Sequence, residues 1–233
     1  MFIIQTIDGL IRDQACLEIF NQREEACSLS DILSLPEKMK TDRRHAVPPC
    51  PVGSIEFVHA AMAAAGRTPP EPLNIPPQLR TVNFLKRKIR FTDRAGIDPD
   101  AESFIKQTDT VKGYTGHTPT IEEIPEGRYY VSELMEIESE WRCFVSDRMI
   151  ADARRYASPY DAAPPDWKAV TDMVRAFDGA PPAWTLDVGT GPKGTFVIEC
   201  HHFYSCGLYG CTSHLLPFIY KSWWNWFMKK NPV

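Results

Sequence analysis

Between Thr68 and Pro77 the chain reads TPPEPLNIPP, five prolines in ten residues. Such a segment neither continues a helix nor enters the middle of a sheet, because each proline lacks an N–H and has its φ fixed by the ring. Whatever folds must be organised on either side of it. Nine of the 20 prolines fall between Pro36 and Pro77, and the basic, proline-broken stretch from Pro36 to Pro51 reads as a connector. Between these two stretches Ser54 stands as an N-cap before Ile55, Val58, His59 and Met62 at helical spacing, with Gly66 as the stop. That pattern gives one helix of about three turns. It also sets a boundary at about residue 80, dividing an N-terminal region 1–80, which opens on the short apolar strand Phe2 to Ile7, from a second region 81–233.

Beyond the boundary the character changes. The basic stretch Val82 to Arg94 reads as helical, and from Ser103 onward short β-rich runs are separated by turns: SFIKQ, RYYVSELMEI, EWRCFV, RMIADARRYA, AWTLDV and TFVIEC. A helix from Asp166 to Phe177 interrupts them, with Trp167, Val170, Val174 and Phe177 on one face. A C-terminal helix with Leu215, Leu216, Ile219, Trp223 and Phe227 on one stripe reads as a core-packing element. With 43% hydrophobic and 24% charged residues in 233, the chain has enough apolar material for a buried core. A net charge of −4 gives no support for wrapping nucleic acid. MFIIQTIDG does not resemble a signal peptide, and no run approaches the roughly 20 apolar residues of a membrane helix. Seven irregularly spaced cysteines suit reduced thiols in a cytoplasmic protein better than a disulfide framework.

Several motifs carry chemistry. Gly189 to Gly194, GTGPKG, fits the G-x-G-x-x-G pattern, but a β-type run follows it rather than the helix that a dinucleotide site needs. The segment reads instead as a hairpin, AWTLDV and TFVIEC joined by a glycine turn. Each arm bears one acid, Asp187 and Glu199, and in the right register two such carboxylates hold Mg²⁺ together with phosphate oxygens; otherwise they are solvent-facing strand residues. Lys106 lies in an apolar strand, and Lys112 opens the loop Lys-Gly-Tyr-Thr-Gly with Gly113 and Gly116, a composition suited to a lid over phosphates. Glu140 and Arg142 share one strand face. Arg154 and Arg155 point to opposite faces, and parity alone leaves open which one enters a cleft. Cys200, His201, His202, Cys206, Cys211 and His214 form a thiol and imidazole cluster that suggests zinc, against irregular spacing and the absence of a C-x-x-C pair.

Taken in order, Phe-Ile-Lys (104–106), the glycine lid, Ser132-Glu133-Leu134, Glu-Trp-Arg-x-Phe-Val (140–145), Arg-Arg-Tyr (154–156), Leu-Asp-Val (186–188) and Val-Ile-Glu-x-His (197–201) resemble the ATP-grasp superfamily. The run Pro-Val-Gly-Ser-Ile-Glu-Phe-Val (51–58) and the closing Gly-Leu-Tyr-Gly (207–210) resemble more closely its clade named for one arginine and two lysines. The resemblance spans roughly residues 47–212. It implies two α+β subdomains gripping ATP, a small lid subdomain at about 81–131 and a larger metal-binding one at about 132–233. It also implies ligation of a small-molecule or peptide carboxylate to an amine through an acyl-phosphate. On this resemblance Lys106 touches the nucleotide phosphates, Lys112, Gly113 and Gly116 form the lid, and Glu133 and Leu134 line the adenine hinge. Asp187 and Glu199 hold Mg²⁺, while Arg142 and Arg155 stabilise the transferred phosphoryl group. The third metal ligand in the usual pattern is an asparagine, here His201, and imidazole favours Mn²⁺ or Zn²⁺ over Mg²⁺. That departure leaves a second expectation open, a nucleotide-binding or interaction module without ligase activity. The first ATP-binding lysine falls on Lys86 or Lys88.

Overall fold

The computed structural model describes residues 1–11, 27–39, 47–118, 124–158 and 161–230. Its first sheet is built on β1 (Phe2–Ile7), which is extended by the antiparallel β2 (Leu10–Ile11) and flanked by two parallel neighbours, β3 (Cys27–Ser30) and β4 (Cys50–Val52). Phe2, Ile3 and Ile4 are fully buried, as a strand covered on both faces requires. The one-turn helix α1 (Leu35–Lys38) and the longer α2 (Ile55–Ala64) pack beside it. α2 begins where the sequence predicts: the Ser54 side chain accepts from the Phe57 N–H at 3.2 Å, and Gly66 follows the helix with φ +71°.

Two antiparallel four-stranded sheets make up the rest. After the one-turn helix α3 (Val82–Leu85) come β5 (Ile89–Asp93), β6 (Ser103–Gln107), β7 (Thr115–Thr118) and β8 (Arg128–Ser132), in the order β5-β8-β6-β7. The long helix expected over Val82 to Arg94 is thus a single turn followed by a strand. Lys86 closes that turn at φ +54°, and Ile89, Phe91 and Thr92, which suit a pleated surface, pair with β8. The expected run RYYVSELMEI likewise stops as strand at Ser132, and residues 133–137 form an irregular linker to the next sheet.

That next sheet contains β9 (Ser139–Ser146), β10 (Met149–Ala157), β11 (Ala183–Thr190) and β12 (Phe196–His202), ordered β10-β9-β11-β12. Helix α4 (Trp167–Ala176) lies between β10 and β11 in sequence, and Asp166 caps it through bonds from Lys168 N and Ala169 N at 2.9 and 3.3 Å. Val170, Met173 and Val174 pack against Cys143, Val145, Trp184, Leu186 and Val188 on one face of the sheet. Trp167 is 41% exposed instead of buried; its ring meets the edge of Trp141 at a centroid distance of 5.8 Å. The glycine hairpin joining β11 to β12 is as read from the sequence. The proline-rich segment runs past the outer edge of β12, where Asn74 bridges to Cys200.

The C-terminal helix α5 (Leu216–Lys230) ties the ends of the chain together. Its Leu216, Ile219, Trp223, Trp224 and Phe227 enter the same buried cluster as Phe2, Ile4, Phe57 and Met62, and Phe144 and Ala183 join that cluster from the other face of the β9–β11 pair. The N-terminal region therefore shares its core with residues from beyond residue 80. No described helix is long and apolar enough to cross a membrane.

Trp224 tests this union. It is 2% exposed, and its indole N–H donates to Pro48 O at 2.8 Å. Trp224→Ala is expected to lower stability by about 3–5 kcal/mol, because a large cavity opens and the bond to the N-terminal region is lost. Urea unfolding measures the loss, and a change below 1 kcal/mol, about a quarter of that expectation, contradicts a single shared core.

Candidate functional site

Strand register assembles the site. Across the sheet Glu199 on β12 pairs with Asp187 on β11, Asp187 pairs with Arg142 on β9, and Arg142 pairs with Arg154 on β10. These side chains occupy one rung and so share one face. His201, two residues from Glu199, lies on that face as well. Asp187, Glu199 and His201 each present a ligand atom, and all three atoms fall within 4.8 Å of one another. Among the described residues this is the group of three metal-ligating side chains that converges. The cluster from Cys200 to His214 does not: Cys200 is buried in the α4 face of the sheet, and burial pushes the Cys206 and Cys211 thiols up to about 12.

Two ion pairs neutralise the carboxylates. Arg142 grips Asp187 in bidentate fashion, Nε to Oδ1 at 2.8 Å and Nη2 to Oδ2 at 2.6 Å, with the carboxylate 1% exposed. Its Nη1 donates to Gly207 O at 3.0 Å. Burial works against the guanidinium charge, but the Asp187 partner more than offsets this and raises the Arg142 pKa. Lys106 reaches across from β6 to pair with Glu199, which joins the two antiparallel sheets. Burial alone disfavours the Glu199 charge, yet His201 and the Lys106 ammonium hold its pKa at about 2. Burial likewise pulls the His201 imidazole down, and the adjoining carboxylates outweigh it and raise its pKa. His201 Nε2 lies 3.1 Å from Glu199 Oε1 and 3.5 Å from Asp187 Oδ2, but it has no well-aligned hydrogen-bond partner.

Two tyrosines that carried no role in the sequence complete this corner. Tyr156 donates to Glu140 Oε2 at 2.7 Å and approaches Asp187 Oδ2 at 3.4 Å. Tyr209 stacks on Tyr156 at 4.7 Å between ring centroids and lies 4.9 Å from the Arg142 guanidinium. Their only signal in the sequence is their place in the Arg-Arg-Tyr and Gly-Leu-Tyr-Gly runs.

A pocket of about 350 Å³ adjoins the cluster between the two sheets. Phe104, Tyr130 and Ser132 form its wall on the β5–β8 side, Phe196 and Ile198 the opposite wall, and the linker residues Glu133, Leu134 and Met135 span its end. Arg87 also lines it. That side chain is 8% exposed and donates to Ser132 Oγ at 2.9 Å, Leu85 O at 3.0 Å and Val197 O at 2.7 Å. Lys86 and Lys88, the residues weighed from the sequence for a basic contact here, do not line the pocket. The arginine between them does.

The remaining candidates are distributed unequally. Lys112, at φ +57°, stands exposed over a cleft of about 260 Å³ lined by Gly53, Ser54, Ile55 and residues 204–207. Gly113 turns tightly, since a Cβ there meets Thr110 Oγ1 at 2.6 Å. Gly116 is a strand residue of β7 opposite Ile105 rather than part of the turn. Arg155 is not brought to the cluster: it pairs with Trp141, on the α4 face of the sheet. Arg154 holds the site face and donates to Asp152 Oδ2 and Thr212 Oγ1 at 2.8 and 2.9 Å.

The same fold is found in solved ligases. The ATP-grasp ligase PsnB, in complex with a minimal precursor, matches at a TM-score of 0.55 and 14% identity over 95% of this chain and 98% of that one. A RimK domain ATP-grasp protein from Sphaerobacter thermophilus gives 0.55 and 14% over 95% and 97%. D-alanine–D-alanine ligase from Bacillus anthracis, in complex with ATP, gives 0.53 and 10% over 100% and 98%. At such identities the likeness is one of fold. No curated protein sequence matches the chain. Residues 35–216 match the ATP-grasp domain of family 3 in the clade named for one arginine and two lysines, and the chain belongs to that family.

Proposed function

We propose that this protein is an ATP-dependent carboxylate–amine ligase that works through an acyl-phosphate. The observation that carries the reading is the convergence of Asp187, Glu199 and His201 beside an apolar pocket and a lysine from the facing sheet. The donor set suits a divalent cation. Two carboxylates supply hard oxygen ligands, and His201 Nε2, which has no well-aligned partner, offers a third ligand atom. Mg²⁺ or Mn²⁺ held by Asp187, Glu199 and His201 would supply charge neutralisation for the nucleotide phosphates.

The chain's own residues do the rest. The pocket bounded by Phe104, Tyr130, Leu134 and Ile198 takes the adenine, with the linker backbone at Glu133 and Leu134 along its edge and Arg87 on its wall. Lys106 exchanges Glu199 for phosphate oxygens when the nucleotide enters, and Lys112 and Gly113 close from the β6–β7 turn. The substrate carboxylate occupies the cleft beneath Lys112. One of its oxygens attacks the γ-phosphorus as the bond to ADP breaks. The amine nitrogen then adds to the carbonyl carbon, phosphate leaves with the electron pair of the C–O bond, and the nitrogen loses its proton to solvent or to the departing phosphate. Arg142 holds Asp187 in place and keeps an N–H edge toward the phosphoryl group. This route requires no covalent nucleophile of the protein.

ATP with Mg²⁺ or Mn²⁺ is expected to raise the melting temperature, and ADP is expected to appear when a carboxylate and amine pool is added. No thermal shift overturns nucleotide binding altogether. A shift without ADP from any pool favours a binding module over a ligase.

Asp187→Asn and Glu199→Gln are expected to lower ADP release by more than about 100-fold while the protein stays folded. Wild-type turnover in either variant rejects the metal assignment. Lys106→Ala is expected to raise the Kd for ATP more than Arg142→Ala does, as isothermal titration would record.

Breaking the Arg142–Asp187 pair from one side leaves a buried charge. Arg142→Met is therefore expected to cost about 3–5 kcal/mol in urea unfolding, and the double change Arg142→Met, Asp187→Leu to recover most of that loss. Additive losses contradict a direct pairing.

A further inference from the structure

A cavity of about 570 Å³ lies apart from the pocket between the two sheets. It lies past the edge strand β12, where the proline-rich segment, the turn after α4 and the end of α5 meet. His201 faces the metal cluster, and the next residue, His202, lines this cavity on the other side of the strand. Leu73, Phe177, Pro181 and Trp226 make its apolar walls, and Arg67 and Lys230 its charged rim.

We propose that this cavity is a second binding site, for a small organic carboxylate that carries an aromatic or branched apolar group. Its volume falls in the range of small-molecule sites. The charges near it do not cancel. Among the described residues Arg67 Nε is buried without a hydrogen-bond partner, and Nη2 makes one long contact, to Met228 O at 3.5 Å. A buried N–H that lacks an acceptor is uncommon, and a carboxylate oxygen in the cavity supplies one. Lys230 sits 4.9 Å from the Trp226 ring, so its ammonium lies beside the apolar wall that takes the ligand's body. The acid at the rim does not quench these cations, because Glu71 is turned outward to Arg128 at 3.6 Å with its carboxylate 85% exposed.

His202 contributes a neutral wall. Its Nδ1 accepts from Trp223 Nε1 at 3.1 Å, and its Nε2 donates to Glu71 O at 3.1 Å, so both ring nitrogens are used. With the indole N–H of Trp223 on its Nδ1 lone pair, the ring is the neutral tautomer protonated at Nε2. Two cations, a neutral imidazole and an apolar wall select an anion with an apolar body over a cation or a neutral polar ligand.

The test uses the full chain and ligand-observed NMR titration at neutral pH, with 3-phenylpropanoate as the probe. Its primary amide and acetate serve as controls for the charge and for the apolar body. The acid is expected to bind and both controls to bind about tenfold more weakly or not at all. Arg67→Gln and Lys230→Gln are each expected to weaken the acid about fivefold or more while melting like the wild type, and Lys106→Ala is expected to leave it unchanged. Failure of the acid to bind overturns the proposal, as does equal binding of acid and amide, or full affinity in both Arg67→Gln and Lys230→Gln. Loss of affinity in Lys106→Ala transfers the binding to the nucleotide site and overturns it too.

Discussion

The bidentate pair between Arg142 and Asp187 is the constraint on which the site depends. A carboxylate 1% exposed keeps its charge at the centre of a sheet only when a partner of fixed geometry occupies the neighbouring strand. Arg142 meets that condition with two parallel N–H bonds and uses a third donor on Gly207 O. The loop after β12 is thereby drawn over the sheet, which brings Tyr209 onto Tyr156. A lysine in place of Arg142 could not hold the carboxylate from two sides and the loop from a third. Since only part of the carboxylate's accepting capacity is consumed, Asp187 still faces Glu199 and His201 with lone pairs free for the proposed metal.

The second ion pair has a different character. Lys106 and Glu199 come from separate sheets, and each side chain is 17% exposed. Their contact closes the cleft where Arg142 and Asp187 organise one wall of it. The Arg142–Asp187 pair is buried within a single sheet, and the more exposed Lys106–Glu199 pair spans two sheets. An anionic ligand entering between the sheets meets a lysine whose present partner is itself a proposed metal ligand, so cation and phosphate together can satisfy both members of the pair.

Much of this was legible in the sequence because it rested on period-two patterning. Phe-Ile-Lys, Glu-Trp-Arg, Leu-Asp-Val and Val-Ile-Glu-x-His each place their charged residues on one face of a strand and adjacent apolar ones on the other, and the glycine turn set β11 against β12. The pairing of Asp187 with Glu199 needed only the hairpin. What escaped was whatever tertiary pairing decides. Val82 to Arg94 carries a helical look in its first turn, but β8 captures Ile89 to Asp93 as strand. Arg154 and Arg155 could not be separated by parity until the register with β9 was known. Arg87 was hidden between two lysines, and only the fold shows which of three adjacent basic residues turns inward. The zinc-like spacing from Cys200 to His214 was already disfavoured in the sequence, because it begins on a strand where neighbouring residues point to opposite faces.

The proline-rich segment, the feature that most restricted the chain at the outset, gains a physical role from its position. β12 is an edge strand, and an open edge offers unpaired N–H and C=O groups to any other strand. Prolines cannot extend a sheet, yet the segment lies along that edge and accepts a backbone hydrogen bond there, from Cys200 N to Asn74 O, and a side-chain one from His202 to Glu71 O. It covers the strand without becoming a strand that a further chain could join. The rigid path from Gly66 to Pro77 also keeps α2 and α3 apart, so that α2 packs in the core shared with α5 while Ile75 and Leu79 pack in the core beneath the sheet. A stretch that cannot fold into regular structure is thereby what holds two cores at a fixed separation, and the space it keeps open between Arg67, Trp226 and Phe177 is the cavity beside β12.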